Sequence, residues 1–287
     1  MRGILKTYQH ILAAVDGSEP SLHALEQALR LPDCRITAAA VVPPLPGGLK
    51  DAGTVAAAHF EAPYEAALSR CREQAATRGL SLETLLLKGE PHEALSAAAR
   101  EQGCDLVVIG KRGHNLPPGE QMGKVTERVI GYCPLDVLVV PVRGSLGLDR
   151  LLLPLDGSRF SRQAASRALV LAEAGAALLV VSVLDAPPGF MTEVPEVARD
   201  LMTNLEELVA GVAREAADHG VTCDTRVMLG PASRLIVEAA AEWRAGLIVM
   251  GSHGRTGLKR LLMGSVTERV VGQAPCPVLV VKADQRP

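Results

Sequence analysis

The sequence predicts an α/β protein built from two tandem copies of one five-stranded, parallel, doubly wound domain, and three observations predict it. The phrase MGKVTERVIGYCPLDVLVV at 122–140 returns as MGSVTERVVGQAPCPVLVV at 263–281. Gly89 and Gly230, Gly110 and Gly251, Gly123 and Gly264, Thr126 and Thr267, and Pro134 and Pro275 stand 141 positions apart, and Asp16 and Asp156 stand 140 apart. One offset with a single-residue gap therefore spans nearly the whole chain, and a period this long is a duplicated domain and not a solenoid repeat. Within each copy, apolar runs of strand length alternate with longer amphipathic segments, the pattern of a parallel sheet covered by helices on both faces.

The elements follow in order. Strands are predicted at HILAAV (10–15), RITAAAVV (35–42), SLETLLL (81–87), DLVVIG (105–110) and DVLVVP (136–141), with helices over 18–31, roughly 60–78, 91–102 and 124–132. The second copy answers with RLLLPL, ALLVVSVL, VTCDTRVM, GLIVMG and PVLVV, separated by helices near 159–174, 196–219, 232–244 and 265–273. RGSLGLD, at 143–149, is a short linker between two apolar runs, so the domains are 1–144 and 145–287. Right-handed crossovers leave few topologies, and all of them put ligands at the carboxyl ends of strands where the winding reverses.

Composition excludes several classes. The 287 residues are 48% apolar, enough to fill two cores, and Lys+Arg 30 against Asp+Glu 32 gives a net charge of −2. Such a balance makes no chain-wide field for nucleic acid or an anionic membrane, so neither is an expected partner and any anion site must be local. The N-terminus shows no long apolar h-region and no later stretch reaches the length of a membrane span, which reads as a soluble cytoplasmic protein. The six cysteines form no C-x-x-C pair and read as reduced, small apolar residues.

The chemistry gathers at the strand ends. After LLLPL comes Asp156-Gly157-Ser158; after GLIVM comes Gly251-Ser-His-Gly254, and Gly264-Ser265-Val266-Thr267 then opens a helix. Glycines let the backbone turn and approach a ligand closely. Free amides at a helix start, the positive end of the helix dipole and a serine hydroxyl together favour a phosphate. A lone glycine after a strand is an ordinary turn and a lone serine an ordinary cap; the ordered array is what points to an anion.

The spacing G-x2-G-x9-G-[ST], here Gly251, Gly254, Gly264 and Ser265, resembles the ATP-binding signature of the universal stress protein family. With an Asp ending the first strand, a final V-L-V-V strand and the repeat of both, the chain resembles a tandem member of that family over nearly its whole length. The resemblance implies adenine nucleotide α-hydrolase-like domains. It also implies ATP, with Mg²⁺, as the ligand: Pro154, Asp156 and Val183 hold adenosine with Met250 beside it, and Gly251, Gly254, Gly264, Ser265, Val266 and Thr267 hold phosphates. Lys259, Arg255 and Arg260 are candidate charges for the phosphate end. With one Trp, three Tyr and three Phe in the chain, and only Tyr132 and Phe160 expected near the sites, adenine needs an aliphatic slot instead of a ring.

The first copy's counterparts are Asp16, Val41, Gly110, Gly113, Gly123, Lys124, Val125 and Thr126, with Lys124 where the signature has Ser or Thr. Losing a hydroxyl bond to a charged phosphate costs about 1.5 to 3 kcal/mol, which an ammonium can offset as a point charge. Pro117, Pro118 and Glu120 add stiffness and a carboxylate to that loop. The second domain is therefore expected to bind ATP and the first to bind it weakly or not at all. His114 and His253 do not recur at the repeat offset, so no shared catalytic role is expected of them.

Enzyme motifs fail on inspection. Gly119 to Val125 imitates a P-loop but is one residue short and has Val where Mg²⁺ needs a hydroxyl, and His92-Glu93 lacks the second His of H-E-x-x-H. No G-x-S-x-G elbow appears. The expectation is nucleotide sensing or carriage in stress adaptation, with slow ATP hydrolysis at most. The alternatives are a scaffold without nucleotide or an enzyme on an adenine-linked substrate. The fifth strands, LDVLVVPV and PVLVVKA, are apolar edges, expected to pair in a homodimer or an internal pseudo-dimer.

Overall fold

The computed structural model describes residues 8–31, 34–44, 53–114, 121–172, 175–187, 189–254 and 263–282. The chain divides into two compact units, with the break between Val142 and Arg143. In the first unit the order is β1 (His10–Ala14), α1 (Glu19–Ala28), β2 (Arg35–Val42), α2 (Gly53–Ala76), β3 (Glu83–Lys88), α3 (Pro91–Glu101), β4 (Leu106–Gly110), α4 (Lys124–Tyr132) and β5 (Asp136–Val140). Its strands lie in the order β3-β2-β1-β4-β5 and every pair is parallel. The second unit has β6 (Arg150–Pro154), α5 (Arg159–Ala172), β7 (Ala177–Leu184), α6 (Phe190–Glu193), α7 (Pro195–Asp218), β8 (Thr222–Leu229), α8 (Ala232–Trp243), β9 (Leu247–Gly251), α9 (Ser265–Gln273) and β10 (Val278–Val281). Its order is β8-β7-β6-β9-β10, again parallel throughout. The doubly wound sheet expected from the sequence is present in both units, and the winding reverses beside β1 and β6.

The central strands are buried on both faces, as a parallel sheet under two helix layers requires. Ile11 and Leu12 in β1 and Leu151, Leu152 and Leu153 in β6 are fully buried. One polar exception in β1 is a satisfied core histidine: His10 Nδ1 lies 2.9 Å from the Gln102 carbonyl and Nε2 2.9 Å from Thr37 Oγ1. The outer strands β3 and β8 are half-open, and β8 carries Thr, Asp and Arg accordingly. Each first helix starts on a serine turn. Ser18 is the N-cap of α1, its hydroxyl accepting from the Ser21 amide at 3.3 Å, and Ser158 accepts from the Ser161 amide at 3.1 Å.

Some boundaries differ from the sequence expectation. The helix expected from roughly 60 begins at Gly53 and continues through Pro63. A proline removes one amide donor, a loss an otherwise Ala-rich helix can carry when neighbouring turns hold. The four-residue α6, capped by Gly189 at φ 89°, was not expected, and β3 starts at Glu83 instead of 81. Among the described residues no helix is long and apolar enough to cross a membrane.

Candidate functional site

In the second unit, Leu155 still pairs with the sheet through Val181, and the chain then turns. Gly157 takes φ +80°, a region that favours glycine, and the Ser158 amide donates to Asp156 Oδ1 at 3.0 Å. The turn thereby fixes the carboxylate at the mouth of β6. Across the reversal, β9 ends at Gly251, where a Cβ would fall 2.7 Å from the backbone carbonyl carbon of Phe160. Glycine there lets the strand end against the start of α5. At Gly254 a Cβ would lie 2.8 Å from Asp156 Oδ2, so the loop backbone closes directly on the carboxylate.

Gly264 is the N-cap of α9, and no side chain caps the helix. The first intrahelical bond runs from the Glu268 amide to the Gly264 carbonyl at 2.9 Å, leaving the amides of Ser265, Val266 and Thr267 without helical acceptors. Ser265 is exposed and its hydroxyl has no hydrogen-bond partner among the described residues. The Thr267 hydroxyl, 3% exposed, donates instead to the Gly251 carbonyl at 2.9 Å. That bond ties the helix to the end of β9, so what Thr267 offers a ligand is its amide.

These parts surround one cavity of about 460 Å³. All ten residues predicted for the second domain line it: Pro154, Asp156, Val183, Met250, Gly251, Gly254, Gly264, Ser265, Val266 and Thr267. Leu205 from α7, Ile236 from α8 and Asp185 line it too and were missed, and His253, of which no shared catalytic role was expected, lines it as well. Asp185 Oδ2 accepts from the Ala232 amide at 3.4 Å at the start of α8. Arg255, Lys259 and Arg260 lie outside the described residues.

The first unit repeats the construction. Gly17 takes φ +84°; a Cβ at Gly110 would lie 2.9 Å from the Pro20 carbonyl oxygen, and one at Gly113 would lie 2.6 Å from Asp16 Oδ2. The Thr126 hydroxyl donates to the Gly110 carbonyl at 2.9 Å, and the first bond of α4 is Glu127 amide to Gly123 carbonyl at 3.0 Å. The cavity is again about 460 Å³ and is lined by all eight predicted residues: Asp16, Val41, Gly110, Gly113, Gly123, Lys124, Val125 and Thr126. Tyr64, Pro43, Arg112 and His114 join them. Pro117, Pro118 and Glu120 lie outside the described residues.

The aromatic expectation needs correcting. Tyr132 is 60% exposed with its ring centroid 5.2 Å from that of His92; Phe160 does come near the second cavity, 5.2 Å from His253, though neither ring is among the lining residues of the two cavities. Tyr64 does line one. The signal was in α2: Tyr64 precedes the buried Ala67, Leu68, Cys71 and Ala75 at helical spacing and so shares their sheet-facing stripe. Leu205 heads the same kind of stripe with Val209, Val212 and Ala216.

Charge in the first cavity centres on Asp16. Burial opposes its ionisation, but bonds from the Ser18 hydroxyl and amide at 2.5 and 2.9 Å, a contact with Ser21 and the nearby His114 outweigh it and hold the carboxyl below its ordinary range. His114 Nε2 lies 3.2 Å from the Asp16 carbonyl. Burial and then the Asp16 charge push the Tyr64 hydroxyl up, while burial and then Arg112 push the Lys111 ammonium down. The residues fit a bound nucleotide: an aliphatic slot opens at one end and three acceptor-free amides stand at the other. They fit Mg²⁺ only as a passenger of phosphates, since the described residues form no group of three metal-ligating side chains.

A doubly wound domain, duplicated, with a glycine-lined cavity at each reversal, is thus the class that fold and site define. The Universal stress protein family matches residues 7–141 and again 147–282. A universal stress protein of Mycolicibacterium smegmatis is 30% identical over 302 aligned positions, covering 95% of this chain and 96% of that one. One from Methanocaldococcus jannaschii is 38% identical over 143 residues, 48% of this chain and 84% of its own. The crystal structure of a universal stress protein from Archaeoglobus fulgidus superposes with a TM-score of 0.75 at 19% identity, covering 97% of both chains, which shows the shared fold. The chain belongs to the universal stress protein family, as a member with two domains in tandem.

Proposed function

We propose that the protein binds adenine nucleotide and acts as a sensor or carrier in stress adaptation in the cytoplasm, with ATP and its Mg²⁺ taken by the second unit. The observation that carries this reading is the union, in one 460 Å³ cavity, of an aliphatic slot with the amides of Ser265, Val266 and Thr267. Ligand pockets run from about 300 to 1,000 Å³. Val183, Leu205, Ile236 and Met250 supply apolar surface for a base, and its polar edge is left to the backbone. The Ser265 hydroxyl and the amides face the place where phosphate charge belongs. When bound, the nucleotide supplies a phosphate chain with its metal; Asp156 is the carboxylate positioned to meet that charge or a hydroxyl near it.

Binding in preference to rapid catalysis is supported by what lines the cavity. Asp156, Asp185 and His253 are the groups able to act as a general base among the described lining residues; Asp156 Oδ1 accepts from the Ser158 amide, Asp185 Oδ2 from the Ala232 amide, and His253 Nδ1 lies 3.2 Å from Ser252 Oγ. Ser252 is 1% exposed and does not line the cavity, so this pair presents no nucleophile to a ligand. Slow hydrolysis by water at the terminal phosphate is the proposed upper limit. For the first unit we propose weaker ATP binding, because Lys124 replaces the hydroxyl. Pairing through the apolar fifth strands, as a homodimer or an internal pseudo-dimer, is likewise proposed, and sedimentation at graded concentration distinguishes the two.

Thermal unfolding with and without ATP tests the reading. At a hundredfold excess over Kd the expected stabilisation is about 2.7 kcal/mol. The double variant Gly254→Ala with Ser265→Ala should lose most of that shift. A scaffold that ignores nucleotide would show no shift in either protein, which would overturn the proposal.

A further inference from the structure

The first unit has another cavity, of about 360 Å³, which meets its serine turn at Gly17 and opens between α1 and α2. Glu19, His23 and Glu26 stand at i, i+4 and i+7 and so share one face of α1, while Arg70 and Gln74, at i and i+4, share one face of α2. Leu22 and Val142 give the cavity an apolar side. All of these residues belong to the first unit.

Two opposite charges stand in this cavity without meeting. Glu26 is already satisfied, its Oε1 accepting from Arg30 Nη2 at 2.9 Å and from Arg78 Nη2 at 2.8 Å. Glu19 is exposed and has no ion-pair partner among the described residues. Arg70 has none either; its Nη2 donates to the Gly17 carbonyl at 3.0 Å, and a guanidinium has further N–H groups to offer.

The surrounding fold requires neither charge, and the repeat shows this. A Cβ at Gly17 would meet Ala67 and one at Gly157 would meet Leu208, so the two turns lie alike on the helices beside them, at the same offset of 141. At that offset Arg70 becomes Gly211, yet Gly157 keeps φ +80° and the Ser158 turn forms. Glu19 becomes Arg159 at the start of α5, where a cation opposes the helix dipole, and that helix forms as well. Glu19 and Arg70 are therefore an addition of the first unit.

We infer that this cavity is a ligand site for a small zwitterion, a free α-amino acid with an apolar side chain. Glu19 receives the ammonium, Arg70 the carboxylate, and Leu22 with Val142 the side chain. A ligand of one sign fits worse, since a diamine would face Arg70 and a dicarboxylate would face Glu19. Arg70 is suited to the carboxylate because its planar fork matches two oxygens at once. The volume lies within the range of about 300 to 1,000 Å³ usual for small-ligand pockets. A bound amino acid would rest against the turn whose Asp16 lines the first glycine-loop cavity.

The test titrates the full-length protein with L-leucine, followed by saturation-transfer NMR on the ligand. Isocaproate, which lacks the ammonium, and isoamylamine, which lacks the carboxylate, are titrated beside it. Each truncated analogue should bind about tenfold more weakly or worse, the loss of one hydrogen bond to a charged group. Glu19→Gln should erase the preference for L-leucine over isocaproate and keep the preference over isoamylamine; Arg70→Gln should do the reverse. Glu19 is exposed, so its variant leaves the core untouched and decides the matter even where Arg70→Gln loosens the turn. No binding of L-leucine, binding of either analogue as tight as that of L-leucine, or a preference over isocaproate unchanged by Glu19→Gln each overturns the inference.

Discussion

Gly254 and Gly123 look alike in the sequence and differ in what they do. A Cβ at Gly254 would sit 2.8 Å from an Asp156 carboxylate oxygen that the Ser158 turn holds in place, so alanine must displace either the loop or the carboxylate. Overpacking of this kind costs about 1 to 3 kcal/mol. Gly254→Ala is expected to lower the unfolding free energy by that amount and to weaken ATP binding, read by urea denaturation and calorimetry. At Gly123 the nearest described heavy atoms to a Cβ are 3.7 Å away and φ is −72°, so the fold tolerates alanine there. Gly123→Ala should therefore leave stability within about 0.5 kcal/mol while reducing ligand binding in the first cavity. Asp16 gives a pH prediction. Its folded pKa lies below the ordinary 3.8, so the contribution to stability is whole above that value and is lost as pH falls below it toward the folded pKa. The difference in unfolding free energy between wild type and Asp16→Asn should be constant near neutrality and shrink below about pH 4, where a difference unchanged down to acid unfolding would contradict the assignment.

Each of the two helices that follow a glycine loop is held to its strand by one threonine. The Thr126 and Thr267 hydroxyls reach the carbonyls of Gly110 and Gly251, both at 2.9 Å and both from buried positions. Thr267→Val keeps the shape and removes the donor, leaving a buried carbonyl short of a partner, and should cost about 1 to 3 kcal/mol in urea unfolding. Thr126→Val should cost a similar amount, since the geometry is the same. These threonines were legible as site residues because they recur at the repeat offset, but their partner was not, since sequence spacing does not show which carbonyl a hydroxyl meets. The strands were legible for a simpler reason: burial on both faces leaves near-continuous apolar runs such as RITAAAVV. The start of α2 was not. The helix expected from roughly 60 already ran through Pro63, but the residues before 60 were left outside it although they continue it back to Gly53. Tyr64 lay inside the expected helix, but its alignment with the buried Ala67, Leu68 and Cys71 was not read as turning it toward the strand ends.

At the scale of the whole molecule, duplication gave two sheets, two glycine loops and two cavities, and divergence reaches the side chains that line the cavities. Each unit has its own five-stranded sheet and its own buried core, at a size for which independent folding is ordinary. Residues 1–144 and 145–287, expressed separately, are accordingly expected to unfold cooperatively, each with its own transition by calorimetry. Their ATP titrations should then diverge because of the Lys124 for Ser265 exchange. The second half, with Ser265, should bind MgATP more tightly than the first, where Lys124 replaces the hydroxyl. Salt separates the two further, because attraction between exposed cations and a phosphate is screened over about 8 Å at physiological ionic strength, whereas hydrogen bonds to backbone amides are less affected. Raising salt should therefore weaken binding to the first half more than to the second. Tight MgATP binding by residues 1–144 alone would reverse the assignment of the two cavities, since the Lys124 for Ser265 exchange would then have preserved the triphosphate site it is argued to have altered.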